Sequence, residues 1–385
     1  MRRIFTEIAR VLTGVLFVFS GLIKANDPVG FGYKLQEYFL VFGMDFLNDH
    51  ATFIAVIICS IEILLGGLLL LGFWRKRVVW GLLLLIGFFT FLTFYSAFFE
   101  VVTSCGCFGD AIPLTPWQSF IKDLILLALI LILFKNWRLM RPLEADQYTK
   151  SILTVLLVVL SVGVGVYTVN YLPVIDFLPY KKGNHLPSLM VMPEGEEGDV
   201  YELTYQMKNK EDGEEMQITD KQYMEEEWWK NESWEIIGEP SSRLLKKGYQ
   251  VPITDLLISD VMGNDMTSTI IENPFDNIIV VAWDLANTNK EALKQINETI
   301  TEAALNYNMR VVLLTSATSR QAEDLSDELG LLTEIFYADA VPLKSMVRAN
   351  PGVLLMKNGT VVNKWHYQTF PSYEDLDSRY FSVIE

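Results

Sequence analysis

The sequence has few of the residues that build disulfide scaffolds and metal sites. Its 385 residues include only three cysteines and three histidines. The cysteines are Cys59, Cys105 and Cys107, which are too few for a disulfide framework and lack the spacing of a zinc site. The histidines lie far apart in the chain, so metal chemistry is not expected.

Basic residues are fewer than acidic residues, so the formal net charge is −16. Without a basic stripe to neutralise phosphates, nucleic acid is excluded as a partner. The deficit belongs to one half of the chain. Residues 1–174 carry 13 Lys and Arg against 11 Asp and Glu, whereas residues 175–385 carry 18 against 36. Since 51% of the residues are hydrophobic, this asymmetry predicts a membrane part followed by an acidic soluble part.

Five apolar segments are each long enough to cross a bilayer, which takes about 20 residues. They are 4–23, 51–73, 78–99, 116–134 and 151–172. Lys and Arg cluster before the first segment, between the second and third, and after the fourth. Positive loops stay in the cytoplasm, so the N-terminus is predicted to be cytoplasmic and residues 175–385 to lie outside.

The C-terminal half reads as strands and then as alternating strands and helices. Residues 278–283 form a continuous apolar strand, residues 290–307 and 319–329 have helical periodicity, and residues 352–365 form a hairpin through Asn358-Gly359. We therefore expect an α-helical membrane part of five spans, followed by an α/β extracytoplasmic domain. The predicted divisions are 1–145 for the first four spans, 146–174 for the fifth, 175–237 for an acidic mixed α/β region and 238–385 for the α/β domain.

Cys105 and Cys107 are the first candidates for chemistry, because they flank Gly106 in the outer loop after the third span. Two thiols one residue apart can bond only in a tight turn, for which glycine supplies the backbone freedom. A strained disulfide of this kind is easily reduced, which favours exchange over a structural role. The alternative is that two small apolar residues simply line a tight loop.

Acidic residues within the spans form the second candidate site. Glu62 lies near the middle of the second span and Asp123 more than one turn into the fourth. Buried membrane acids usually face the bundle interior or a cavity. A packing role and a proton- or quinone-linked role are both open for these two residues, whereas Glu7 and Arg10 are spaced to pair with each other.

These residues resemble the DoxX/MauE-like membrane proteins, in the form found in Bacteroidetes, over about residues 4–140. The likeness rests on the Glu62 helix and on four motifs: Ser20, Gly21 and Lys24; Asp27 and Pro28; Glu37 and Tyr38; and Cys105, Gly106, Cys107, Phe108, Gly109 and Asp110. The resemblance implies an α-helical bundle of four helices in a bacterial inner membrane, with a fifth tethering helix here and the C-terminal domain in the periplasm. It also implies a link to disulfide formation or to quinol-oxidising complexes.

The C-terminal domain resembles a thioredoxin-like domain over about residues 238–375. The likeness rests on the 278–283 strand and on Asn350-Pro351-Gly352 before the hairpin, and it implies a cis peptide bond at Pro351. The stretch after the strand has no Cys-x-x-Cys, and no cysteine follows Cys107. This domain therefore cannot perform dithiol chemistry itself.

Two hypotheses follow. In the first, Cys105 exchanges with a partner thiol and Cys107 resolves the mixed disulfide. Glu62 or Asp123 handles protons from a quinone, which is the candidate cofactor. Its redox-inactive C-terminal domain would dock an envelope partner, either a redox protein or a membrane-complex subunit. In the second, the protein is a non-enzymatic envelope scaffold or accessory subunit.

Overall fold

The computed structural model describes residues 1–102, 106 and 108–382, and the first 171 residues form mainly helices. The helices are α1 (Arg2–Asn26), α2 (Pro28–Val41), α3 (Ala51–Leu71), α4 (Arg75–Phe99), α5 (Pro116–Asn136) and α6 (Gln147–Tyr171). All of these except α2 are long and apolar enough to cross a membrane, which confirms the five predicted spans. The chain is therefore a membrane protein.

Glycines let α1 and α3 approach each other closely along most of their length. A Cβ added at Gly66 would lie 2.9 Å from the carbonyl oxygen of Gly14, and one added at Gly21 would lie 3.0 Å from the amide nitrogen of Ile63. Membrane helices associate through such close backbone packing, because lipid supplies no hydrophobic drive between them. The packing explains why Gly21 occurs in the predicted motif.

The basic residues lie at one end of the bundle, which we call the basic end. Arginine side chains join the termini of the helices there. Arg10 pairs with Glu7 at 2.8 Å, as predicted, and also donates to the carbonyl of Arg141 at 3.1 Å. The backbone N–H of Arg141 donates to Glu7 at 2.6 Å, and Arg75 donates to the carbonyl of Met140. These bonds attach the segment after α5 to the ends of α1 and α4.

The soluble part contains two β-sheets. In chain order its elements are α7 (Leu186–Met190), β1 (Val200–Asn209), β2 (Glu215–Thr219), α8 (Asp220–Glu225), β3 (Trp234–Ile236), β4 (Ser241–Lys246), α9 (Thr267–Ile271), β5 (Asp276–Val281), α10 (Lys290–Tyr307), β6 (Arg310–Thr315), α11 (Ser319–Leu329), β7 (Glu334–Tyr337), α12 (Ala340–Met346), β8 (Gly352–Lys357), β9 (Thr360–His366) and α13 (Tyr373–Leu376). The first sheet is antiparallel, with β1 pairing β2, β3 and β4. The second sheet is mixed and has the order β7-β6-β5-β8-β9.

The second sheet is covered on both faces, as the continuous apolar run of β5 predicts. Successive side chains of a strand point to opposite faces. Accordingly Ile279 and Val281 lie in one core, with α12, and Ile278 and Val280 lie in the other, with α10 and α11. The predicted helices at 290–307 and 319–329 and the hairpin of β8 and β9 are present. The fold is thus a membrane bundle followed by a mixed α/β domain.

Backbone pairing in the soluble part does not follow the predicted division at residue 237. Strand β4 pairs with β1, so the acidic sheet continues to Lys246. On the other side, Tyr180 and Leu186 lie in the core beneath the five-stranded sheet, and Leu186 N–H donates to the carbonyl of Gly359 at 2.8 Å. Composition set the predicted boundary, whereas hydrogen bonding and burial join these segments across it.

A buried histidine makes the stability of the soluble part depend on pH. Burial lowers the pKa of His366 to about 4, and its Nδ1 accepts a hydrogen bond from the N–H of Gln368 at 3.2 Å. Below about pH 6.5 the unfolded chain binds a proton that the folded chain excludes, so stability present at neutral pH is lost as the pH falls toward 4.

We expect this loss to be about 2 kcal/mol. Thermal unfolding of the detergent-solubilised protein between pH 7.5 and 4.5 measures it, because His366→Gln should flatten the curve. The exposed His50 supplies the control, and His50→Gln should behave as the wild type. If the wild type and H366Q lose stability equally, the assignment to His366 is wrong.

Candidate functional site

A narrow cavity lies inside the helical bundle, and we call it the inner cavity. Charged side chains from α1, α3 and α5 line it, together with residues of the loop between α4 and α5. The lining includes Lys24, Glu62, Lys122, Asp123, Gly106 and Phe108. Its volume is about 40 Å³, which suits water-sized molecules. The structure therefore brings both predicted membrane acids to one polar site.

Lys24 and Glu62 form a buried ion pair at this cavity. Their side chains are 3% and 2% exposed, and the ammonium of Lys24 donates to Glu62 Oε1. The same ammonium lies 4.6 Å from the ring centroid of Phe89 and 5.2 Å from that of Phe31. The second oxygen, Glu62 Oε2, finds no hydrogen-bond partner within the described part of the chain. A carboxylate oxygen is thus held ready to bond to a molecule in the cavity.

Asp123 is held by two neighbours. Thr93 of α4 donates to its Oδ2 at 3.0 Å, and the ammonium of Lys122 lies 2.6 Å from its Oδ1. Lys122 also lies 5.3 Å from the ring centroid of Phe108. The ammonium of Lys122 therefore faces Asp123. The second acid of the cavity is therefore neutralised by its chain neighbour.

The other motif residues of α1 and α2 hold the outer end of the bundle together. Asp27 caps α2 by accepting a hydrogen bond from Gly30 N–H at 2.8 Å, and Pro28 occupies the first helical position, where no N–H is needed. Tyr38 shares a 2.8 Å hydrogen bond with Ser96 of α4, and Ser20 lines the inner cavity. The chain that follows Asp27 is thus helix α2.

The predicted redox residues Cys105 and Cys107 lie outside the described residues, whereas Gly106 and residues 108–110 of the same loop are described. Gly106 and Gly109 have φ angles of +62° and +51°, a region that side-chain-bearing residues rarely adopt. Gly109 N–H donates to the carbonyl of Gly106 at 3.1 Å, and the Phe108 ring centroid lies 5.8 Å from that of Phe19. A hydrogen-bonded turn thus runs from Gly106 to Gly109, and the tight turn between Cys105 and Cys107 stays a prediction.

A second opening, the outer cleft, lies between α2 and α12 of the soluble part. It has a volume of about 460 Å³ and its lining includes Tyr33, Lys34, Glu37, Gly106, Lys344 and Arg348. Glu37 pairs there with Lys34 at 2.8 Å. Gly106 also lines the inner cavity. The residue between the two cysteines therefore borders both openings.

Burial changes the ionisation of the groups around this cleft. It raises the pKa of Tyr33 to about 12 and lowers the pKa of Lys344. The Lys344 ammonium lies 4.6 Å from the Tyr33 ring centroid and 4.4 Å from that of Trp283, which stabilises its charge through cation–π attraction. Tyr33 consequently stays protonated at neutral pH.

No pattern in the sequence pointed to Arg348, which connects the two parts of the site. Arg348 follows α12, and its guanidinium pairs with Asp27 at 2.7 Å and with Asp110 at 3.0 Å. Arg348 lies 321 positions from Asp27 and 238 positions from Asp110 in the chain. No local pattern in the sequence could predict charge-assisted contacts over such separations. Three residues later, the Asn350–Pro351 peptide bond is cis, as predicted.

The membrane part is similar to known proteins. Residues 2–136 match the family model of the methylamine utilisation protein MauE. A curated relative, Protein TlpB of Flavobacterium psychrophilum, is 32% identical over 130 residues, which cover 32% of this chain and 35% of the relative. The chain thus spans about a third of the length of this relative. The MauE match ends where α5 ends, so it includes every charged residue of the inner cavity but not Arg348.

These matches confirm the predicted likeness to MauE for the membrane part. The likeness to DoxX proteins, and that of residues 238–375 to thioredoxin-like domains, stay predictions.

Proposed function

We propose that this protein is a thiol–disulfide exchange component of a bacterial inner membrane, with its N-terminus in the cytoplasm and its α/β domain in the periplasm. The observation that carries the proposal is the position of Gly106, which borders both the outer cleft and the charged inner cavity. The cysteines on either side of Gly106 would then receive electrons from one opening and pass them to the other.

The exchange step needs only the cysteine pair and a dithiol on an exported partner. A thiolate of the partner attacks one sulfur of the Cys105–Cys107 disulfide, and the other sulfur leaves as a thiolate. The second partner thiolate attacks the resulting mixed disulfide and releases the remaining cysteine as a thiolate. The partner has lost two electrons and gained a disulfide, while Cys105 and Cys107 have gained the two electrons.

Reoxidation requires an acceptor of two electrons, for which we propose a membrane quinone. The lining of the inner cavity fits such a molecule chemically, because Lys24 can donate a hydrogen bond and Glu62 Oε2 is unpartnered among the described residues. When bound, a quinone would take two electrons and two protons as the disulfide forms again. Glu62 would hold and move a proton from the thiols, and Lys24 would balance the charge of Glu62.

The inner cavity is smaller than a quinone. Its volume of about 40 Å³ suits water-sized molecules and not a quinone ring, so a side chain of the cavity wall, such as Phe89, must rotate before a quinone enters. Asp123, already paired with Lys122 and Thr93, serves better as a fixed support than as a proton carrier.

The experiment that tests the proposal follows the redox state of the thiols in cells. After mild reduction, a membrane-impermeant maleimide should label Cys105 and Cys107, and the label should disappear once the cells are allowed to reoxidise them. Cys59 is fully buried in α3 and serves as the internal control that stays unlabelled. Thiols that keep one state under both conditions would contradict the proposal.

A second candidate function is that of an envelope scaffold, which the four-stranded sheet favours. All residues of β4 and several of β1 are exposed, although sheets normally bury at least one face. Tyr201 and Leu244 lie opposite each other in this sheet and are 51% and 45% exposed. A scaffold would use this surface without any need for the cysteines.

A further inference from the structure

The outer cleft contains a lysine whose ammonium has no carboxylate partner in the described part of the chain. Lys344 of α12 is partly buried, and its ammonium is held against the rings of Tyr33 and Trp283 at 4.6 and 4.4 Å from their centroids. Across the described residues this ammonium forms no ion pair and donates no hydrogen bond. All three of its N–H donors are therefore available to a molecule in the cleft that Lys344 lines.

The other two cations of the cleft are already paired. Lys34 lies 2.8 Å from Glu37, and the guanidinium of Arg348 is bonded to two carboxylates. Both are neutralised within the chain. Lys344 therefore differs from them, because its positive charge is positioned by aromatic rings and not by an acid.

The carboxylates that act on Lys344 from a distance are bonded to other groups. Burial lowers the pKa of Lys344, and the attraction of three carboxylates does not offset this effect. They belong to Glu37, Asp284 and Asp339. Asp284 accepts hydrogen bonds from two backbone N–H groups of the turn that follows it, and Asp339 caps α12. A carboxylate from outside the chain would therefore stabilise this ammonium more directly than any of the three.

Exposed aliphatic side chains lie in the same cleft. Leu40 of α2 and Val341 of α12 are 68% and 61% exposed, and both line the opening. Val341 precedes Lys344 by three residues, so the two side chains lie on the same face of α12. The volume of about 460 Å³ is within the range of ligand sites and admits a few side chains rather than a folded domain.

We propose that the outer cleft is the docking site for an extended segment of the exported partner, which places an acidic side chain on Lys344 and an apolar side chain against Leu40 and Val341. The inference rests on the proposed function, because it names the chemistry of the partner in the same exchange. Charge and shape both support it: an unpaired ammonium selects a carboxylate, and two aliphatic side chains on opposite walls receive an apolar neighbour.

The test measures how the full-length protein in detergent binds a short fluorescein-labelled peptide, by fluorescence anisotropy. The peptide contains a Leu and a Glu two positions apart among Gly and Ser, because alternate side chains of an extended chain lie on the same side. It has no cysteine. We expect replacement of its Glu by Gln to weaken binding about tenfold, since a hydrogen bond between charged groups is lost.

Substitutions in the cleft assign this preference to its residues. With Lys344→Met the Glu and Gln peptides should bind equally, whereas Lys344→Arg should keep the preference. Val341→Ser should weaken the preference for Leu over Ser in the peptide and leave the preference for Glu unchanged. Lys290→Met is the matched control, because Lys290 of the same domain pairs with Glu328. Should Lys344→Met fail to fold, Lys344→Gln replaces it.

Several outcomes would overturn the inference. The first is equal binding of the Glu and Gln peptides to the wild type, and the second is a preference that survives Lys344→Met. The third is a wild-type dimer that Lys344→Met dissociates, because the cleft would then hold a second copy of this chain. Since the peptide has no thiol, its binding does not depend on disulfide exchange. Thiols that never change redox state in cells would refute the proposed function and leave the peptide result standing, so the two failures are distinguished.

Discussion

Replacing Cys105 or Cys107 with serine is expected to lower the rate of partner oxidation at least 100-fold, because a hydroxyl cannot form or accept a disulfide. The double variant should be no worse than either single one, since the two thiols act as a unit. The measurement is the rate at which membranes containing the protein oxidise a reduced model dithiol peptide. Cys59→Ala is the matched control, because Cys59 is buried among α1 and α3 residues and borders neither opening.

The single variants also distinguish the two candidate functions. A variant that keeps the attacking thiol but lacks the resolving one should accumulate a mixed disulfide with its natural partner, visible as a reducible band on a gel. We expect this band from Cys107→Ser and not from the double variant. If the doubly substituted protein supports growth and partner levels as well as the wild type does, the scaffold is the correct function.

Breaking the Lys24–Glu62 ion pair is expected to destabilise the bundle more than any other single substitution in α1 or α3. Glu62→Leu leaves the Lys24 ammonium buried at 3% exposure without its carboxylate, which costs about 3–5 kcal/mol. Lys24→Met leaves the Glu62 carboxylate buried without its ammonium and should destabilise the bundle by a similar amount. The double variant removes both charges, so it should recover most of the lost stability. Thermal unfolding in detergent measures all three.

The control for this prediction is a pair at the outer cleft. Lys34 and Glu37 are 28% and 43% exposed, and Lys34→Met should change stability by less than about 1 kcal/mol.

Redox activity is the second measurement for the Lys24 and Glu62 double variant. The folded double variant should lose the reoxidation step while its thiols still exchange, because the proton-carrying acid is absent. A double variant that remains as unstable as Glu62→Leu would contradict the ion-pair argument.

Local patterns predicted the elements, since each depends on near neighbours. The helix Lys290–Tyr307 and the hairpin at Asn358-Gly359 follow from periodicity and turn chemistry. Glu62 was predicted to face a cavity because an isolated acid in a span must be satisfied.

The contacts that build the site could not be predicted in the same way. The bond from Thr93 to Asp123 joins two helices, and Arg348 joins segments from both ends of the chain. Each depends on how helices pack, and no spacing in the sequence encodes that. The pairing of β4 with β1 is a contact of the same kind, because it crosses the change of composition at residue 237, and the division into domains stays a prediction.

The arginine bonds at the basic end hold the segment after α5 against two helices. Arg10 of α1 donates to the carbonyl of Arg141, and Arg75 of α4 donates to the carbonyl of Met140. Because both acceptors are backbone carbonyls, a substitution at residue 140 or 141 leaves the acceptor in place, whereas a substitution at Arg10 or Arg75 removes the donor. The identity of the two arginines, and not that of the residues they contact, therefore sets the strength of this attachment.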